Sequence, residues 1–142
     1  MKVLYVMVAI FGLLAGCAVT PERISVWPND VLCANYGAAL RQQLRHSGDL
    51  AAPSSMKAEL DRRGLFRPQD DLSLATRESV RVGMSECLLY ASWGAPTRRN
   101  RTASMAGVRI QHVYGSYYHG RYVSSRPSYV YTENGIVTGW QD

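Results

Sequence analysis

The fold is decided by the C-terminal stretch YVYTENGIVTGWQ, residues 129–141. Two segments of alternating residues flank its Asn-Gly pair, and Asn-Gly between such segments is the strongest short signal for a β-hairpin. Strand alternation places Tyr129 and Tyr131 on one face of the sheet and Val130 on the other. The stretch therefore predicts two antiparallel strands with one face turned towards a core.

The β pattern extends towards the N-terminus. Residues 108–114 alternate apolar and polar side chains, and a turn at residues 104–107 separates them from a further strand over residues 98–103. A loop over residues 115–128 leads from this pair to the C-terminal hairpin. Together the four segments predict an antiparallel sheet.

Helical signals precede the sheet. Ser85 is a good N-cap for a two-turn helix over residues 86–93, which Gly94 ends. Two more helices are predicted over residues 31–45 and 56–63, and residues 67–76 form a polar connection with a possible helical turn. The predicted fold class is therefore α+β, with short helices packed on one face of an antiparallel sheet of three to four strands.

Four motifs resemble the SmpA/OmlA (BamE-like) domain family and occur in the family's order. They read VRVGMS, WGAP, QHVYG and YVYTENGIV, at residues 80–85, 93–96, 111–115 and 129–137. The resemblance covers about residues 78–142. It implies two short helices on an antiparallel sheet, a tight turn at Gly83, and Met84 filling the core between helices and sheet.

The same resemblance implies a role. It implies an outer-membrane lipoprotein that is a non-catalytic binding or scaffolding subunit of an envelope complex, with the barrel-assembly machinery as a candidate partner. The arrangement also resembles β-lactamase inhibitor proteins, and fold does not fix function. A periplasmic enzyme inhibitor is therefore the alternative.

The N-terminus has the pattern of a lipoprotein signal peptide over residues 1–16. One lysine precedes a 12-residue apolar run, residues 3–14, which as a helix spans only about 18 Å, less than a bilayer core. Leu14-Ala15-Gly16-Cys17 resembles the bacterial lipobox and implies lipidation of Cys17. Ala18 then indicates the periplasmic face of the outer membrane. The plain signal peptide with a chance cysteine is the alternative.

The mature chain divides into three predicted parts. Residues 17–28 contain two prolines and no helical period, as in a lipidated tether, residues 29–77 form a helical N-terminal extension, and residues 78–142 form the BamE-like domain. The net charge of +5 would suggest nucleic acid as a binding partner, but an exported lipoprotein does not encounter nucleic acid. Anionic headgroups or acidic proteins are the expected partners instead.

Two cysteines remain besides Cys17. Cys33 and Cys87 face an oxidising compartment, where paired thiols usually form a disulfide. Two buried free thiols, or a bridge to another molecule, are the alternatives.

No catalytic or metal site is predicted. The histidines His46, His112 and His119 lack the spacing that zinc ligands need, and His112 reads as a surface or strand residue. Residues 115–120 match a phosphate loop in glycine spacing alone. No nucleophile lies in an activating motif. We therefore expect no cofactor and no enzymatic activity.

Two groups of residues are candidates for binding. The loop residues Tyr117, Tyr118, Tyr122 and Arg121 have the composition of interface hot spots, so they are predicted to contact a protein partner.

Arg98, Arg99 and Arg101 form the second group, at the start of the first strand. Guanidinium groups bind phosphate, so these three could contact lipid headgroups, with Arg99 and Arg101 on one face and Arg98 on the other. Charged residues also protect strand edges from unwanted pairing, and this solvated-edge interpretation stays open.

Overall fold

A computed structural model describes residues 20–45, 51–115 and 128–141, without the side chains of residues 51 and 52. None of the helices in these ranges is both long and apolar enough to cross a membrane. The elements, in chain order, are α1 (Pro21–Ser25), α2 (Asn29–Arg45), α3 (Ala51–Arg62), α4 (Ser73–Thr76), α5 (Glu86–Trp93), β1 (Arg98–Ser104), β2 (Gly107–Tyr114), β3 (Ser128–Glu133) and β4 (Ile136–Gln141).

The four strands form one sheet in the order β1-β2-β3-β4, with every neighbouring pair antiparallel. The predicted α+β class is therefore confirmed. Asn134 and Gly135 join β3 to β4 with positive φ angles of 49° and 77°, the signature of a type I′ turn. A bulge in the β3–β4 pairing follows Tyr131.

Strand alternation gives the sheet two different faces. Val130, Thr132 and His112 are buried on the face towards the helices, and the register places His112 opposite Val130. The N-terminus of α5 joins the edge strand β4, because Glu86 N–H donates to the carbonyl of Gly135. This inner face and α5 together form the centre of the core.

The Gly-Met turn before α5 is attached to the same strand. Gly83 has φ 90°, and its N–H donates to the carbonyl of Val137, whose own N–H donates to the carbonyl of Met84. Met84 is buried. Ser85 caps α5, since its hydroxyl oxygen accepts from the N–H of Leu88, as the sequence predicts.

Helix α2 packs directly on α5. Gly37 of α2 approaches the backbone of Ala91 so closely that an added Cβ would lie within bonding distance of its carbonyl oxygen. Arg41 Nη1 donates to the carbonyls of Ala75 and Ala91, each at 2.7 Å. Cys33 of α2 and Cys87 of α5 are joined as a disulfide. The predicted extension and the predicted domain thus share one core.

The predicted tether over residues 17–28 is wrong in its second half. Residues 21–25 form α1, and Ile24 is 1% exposed. The guanidinium of Arg63, which follows α3, donates to the carbonyls of Trp27 at 2.7 Å and Ser25 at 2.9 Å. One buried isoleucine and one distant arginine hold this segment on the core, and neither produces a helical period in the sequence.

The helix bounds differ from prediction at two N-termini. α2 begins at Asn29, and α3 begins at Ala51 with Pro53 in its first turn. Proline is tolerated there, because the first N–H groups of a helix have no partner within it. The predicted turn within residues 67–76 is present as α4.

Candidate functional site

A cleft of about 760 Å³ opens where the N-termini of α2 and α5 face β1. Its walls include Asp30 from α2, Glu86 and Tyr90 from α5, and Arg99 from β1. The disulfide-bonded Cys33 and Cys87 also line it. Arg99 Nη2 and Asp30 Oδ2 are 3.1 Å apart. The cleft therefore contains groups of both charges: the Arg99 guanidinium lies on the sheet, and the Asp30 and Glu86 carboxylates lie on the helices.

A buried polar cluster lies behind this cleft. Glu86 and Tyr90 are one turn apart on α5, and the Tyr90 hydroxyl donates to Glu86 Oε1 at 2.6 Å. His112 on β2 is fully buried, with Nδ1 3.2 Å from the Tyr90 oxygen and Nε2 2.9 Å from Thr132 Oγ1. The cluster links the helical layer to two strands through side chains alone.

Donor counting assigns the protons of the cluster. Tyr90 has one hydroxyl proton and donates it to Glu86, so its oxygen can only accept from the imidazole. His112 then carries its proton on Nδ1, and Nε2 accepts from the hydroxyl of Thr132, which lies closer to Nε2, at 2.9 Å, than to its other acceptor Glu86 Oε2, at 3.4 Å. In this arrangement the imidazole is neutral and both of its nitrogens have partners, which is what burial in a core demands.

The surroundings set the charge state of both rings. Burial is the main cause that lowers the pKa of His112 below its ordinary 6.5; Arg99 acts in the same direction, and Glu86 opposes them. Burial, followed by the hydrogen bond to Glu86, raises the pKa of Tyr90. Both side chains are therefore neutral at pH 7.

This arrangement makes stability depend on pH. The unfolded chain protonates His112 near pH 6.5 and the folded chain only below that value, so the unfolded state binds more protons as the pH falls. We expect the free energy of unfolding to decrease below about pH 6.5, by at most about 1.4 kcal/mol per pH unit from this group.

Urea unfolding at a series of pH values from about 5 to about 8 measures how the free energy of unfolding depends on pH. This range spans the ordinary pKa of histidine. His112→Gln should lose the part of the slope that His112 supplies, while His46 and His119 remain in both proteins as internal controls. Parallel curves for wild type and variant would show that His112 does not titrate differently on folding.

Two members of the cluster are enclosed by the fold. His112 is 0% exposed and Tyr90 3%, whereas a general base must come within hydrogen-bond reach of its substrate. Tyr90 and Glu86 nevertheless line the cleft, together with the neighbouring Arg99. Among the described residues no group of three potential metal ligands converges.

The three candidate arginines are separated by the sheet, as alternation predicts. Arg99 faces the helices and pairs with Asp30. Arg98 lies on the opposite face, where Nε donates to Asn100 Oδ1 at 2.9 Å. Arg101 is exposed on the edge strand β1, all seven residues of which are exposed. The three do not form one cationic patch.

The face of the sheet away from the helices is the second candidate surface. We call it the open face, because none of its residues is buried: Arg98, Asn100, Thr102, Arg109, Gln111, Val113, Tyr129, Tyr131, Glu133, Gln141. No described element covers it.

A row of hydrogen bonds crosses the open face. Asn100 Nδ2 donates to Gln111 Oε1 at 2.8 Å, and Gln111 Nε2 donates to the Tyr131 oxygen at 3.2 Å. The Tyr131 hydroxyl then donates to Gln141 Oε1 at 3.4 Å. The row therefore connects all four strands.

Several predicted site residues lie outside the described residues. These are the lipidation residue Cys17, the candidate partner-binding residues Tyr117, Tyr118, Arg121 and Tyr122, and the histidines His46 and His119. The predictions made for them stay predictions.

Sequence reasoning missed the polar cluster. It read His112 as a surface or strand residue, whereas the side chain is fully buried. The sequence does contain one sign that His112 is buried: strand alternation places it on the same face as Val108, Ile110 and Tyr114. Nothing in the sequence indicates that Glu86 and Tyr90 meet this histidine, because 22 residues or more separate them from it.

The chain was also compared with known proteins. No family model, no curated protein and no solved structure matched it.

Proposed function

We propose that this protein is a lipoprotein on the periplasmic face of the bacterial outer membrane, where it acts as a non-catalytic binding or scaffolding subunit of an envelope complex. The membrane anchor is the lipid on Cys17, at the end of the lipobox-like Leu14-Ala15-Gly16-Cys17. The disulfide between Cys33 and Cys87 agrees with an exported protein. Membership of the SmpA/OmlA (BamE-like) family is part of this proposal and rests on the four sequence motifs.

The open face is the observation that carries a binding function. A two-layer α+β domain normally buries one face of its sheet and leaves the other to solvent. Here the solvent face holds Tyr129 and Tyr131 beside amide and guanidinium groups, and hydrogen bonds already order the row from Asn100 to Gln141. Such preorganisation reduces the entropy that a partner must overcome on binding.

Lipidation is tested by metabolic labelling with an alkyne fatty acid. The full-length protein should take up the label and sediment with membranes, and Cys17→Ser should do neither, because the thioether bond has no other attachment point. Label on the Cys17→Ser variant, together with its sedimentation, would contradict the anchor.

The binding surface is tested by site-specific photo-crosslinking in intact cells. A photoreactive side chain replaces Thr102 on the open face, and the matched control carries it at Ala58, which is exposed on α3. Crosslinks to integral outer-membrane or assembly proteins from position 102 alone are expected. A single soluble hydrolase would instead support the inhibitor alternative, and equal crosslinks from both positions would contradict a role of this face.

A further inference from the structure

The exposed turn between α1 and α2 lies close to the proposed lipid anchor. Cys17 precedes Thr20, the first described residue, by three backbone steps, which span at most about 11 Å. Val26 is six residues after Thr20, at the other end of α1, and at about 1.5 Å per helical residue the two lie about 9 Å apart. The turn can therefore be no more than about 20 Å from the lipidated residue.

This distance is short because α1 is part of the folded core. Ile24 is buried, and Arg63 donates to three backbone carbonyls around it, those of Ile24, Ser25 and Trp27. An unfolded tether of the same twelve residues would have reached about 40 Å. The packing of α1 thus limits how far this side of the domain can lie from the lipidated residue.

That side has the chemistry of a membrane interface. Val26 is 78% exposed, Trp27 beside it is half-buried, and Pro28 is exposed. Tryptophan favours the headgroup level of a bilayer, where its ring is in apolar surroundings and its N–H is near water. Arg23, exposed on α1, adds a cation for phosphate groups.

We propose that the turn Val26-Trp27-Pro28 is a second membrane contact, which docks on the outer-membrane surface and fixes the orientation of the domain. The inference rests on the proposed lipidation of Cys17. A bilayer is the proposed occupant, because acyl chains on Cys17 would keep the membrane surface within about 20 Å of the turn, and because the exposed Val26 and the half-buried Trp27 suit its interfacial layer.

Quenching by brominated lipids tests the contact. The full-length lipidated protein is reconstituted into phosphatidylethanolamine–phosphatidylglycerol vesicles whose acyl chains carry bromine, which quenches tryptophan only at short range. The chain has three tryptophans, so the Trp27→Phe variant supplies the signal of Trp93 and Trp140. The difference between the two proteins is the quenching of Trp27.

The valines of two exposed turns provide a matched pair. Val26→Asp places a charge in the proposed contact, and Val82→Asp places one at another exposed valine, 53% exposed. Most of the Trp27 quenching should be lost in the first variant and kept in the second. Absence of bromine-dependent quenching of Trp27, or equal effects of both aspartates, would overturn the contact.

Mass spectrometry of the same samples separates the two proposals. Protein without acyl chains would overturn the anchor and, with it, the contact. Acylated protein in which Trp27 is not quenched would overturn only the contact. Inserting a ten-residue Gly-Ser spacer (about 35 Å when extended) after Ala18 should weaken the quenching without changing the acylation, because it removes the constraint on distance.

Discussion

Replacing Cys33 and Cys87 together by alanine should lower the free energy of unfolding by about 4 kcal/mol. The disulfide closes a loop of 54 residues, and in the chain-entropy model this is the conformational freedom that the bond removes from the unfolded state. Equilibrium unfolding in guanidinium chloride measures the loss. The m-value should rise slightly, because an unlinked chain exposes more surface.

Wild-type protein unfolded in the presence of a thiol reductant is the control for this prediction. It should resemble the double variant, apart from the smaller packing loss caused by the two missing sulfur atoms. If iodoacetamide modifies both cysteines in the native, non-reduced protein, the two thiols are free and the prediction fails.

Gly37→Ala should destabilise the protein by about 3 kcal/mol, the upper part of the range for inserting atoms into a packed core. The new Cβ would lie within 2.7 Å of three backbone atoms of Ala91, and backbone cannot rotate away as a side chain can. The gain in helix propensity opposes this by only about 1 kcal/mol. The melting temperature should fall by roughly 10 °C.

Gly139→Ala is the matched control. It introduces the same methyl group on β4, where nothing lies within 4 Å of the new atom, so the melting temperature should change little. A neutral Gly37→Ala variant would mean that α2 can move away from α5 without cost. That result would contradict the close approach of the two helices.

Local signals in the sequence were enough to predict most of the secondary structure. The Asn-Gly turn, the alternation in β2 and the Ser85 cap each depend on residues only a few positions apart. For that reason the four strands and α5 were predicted almost to the residue. The hairpin turns also determine the strand order, since consecutive antiparallel strands are neighbours.

Features that depend on distant residues were not predictable. α1 was missed because Ile24 finds its core partners and Arg63 only after folding. Gly37 lets α2 approach Ala91, but in the sequence it is only a residue of low helix propensity. The polar cluster was missed for the same reason, because His112, Glu86 and Thr132 come from three separate elements.

The packing of α2 on α5 also has a consequence for the order of folding. Each strand of the sheet pairs with its neighbour in sequence, so the meander forms from local contacts. The α2–α5 contact instead joins positions about 50 residues apart, as the bond from Arg41 to Ala91 illustrates. Contacts of large sequence separation require costly loop closure and form slowly. We therefore expect α2 to dock more slowly than the sheet forms, and the Cys33–Cys87 disulfide, once formed, links the docked helix covalently to α5.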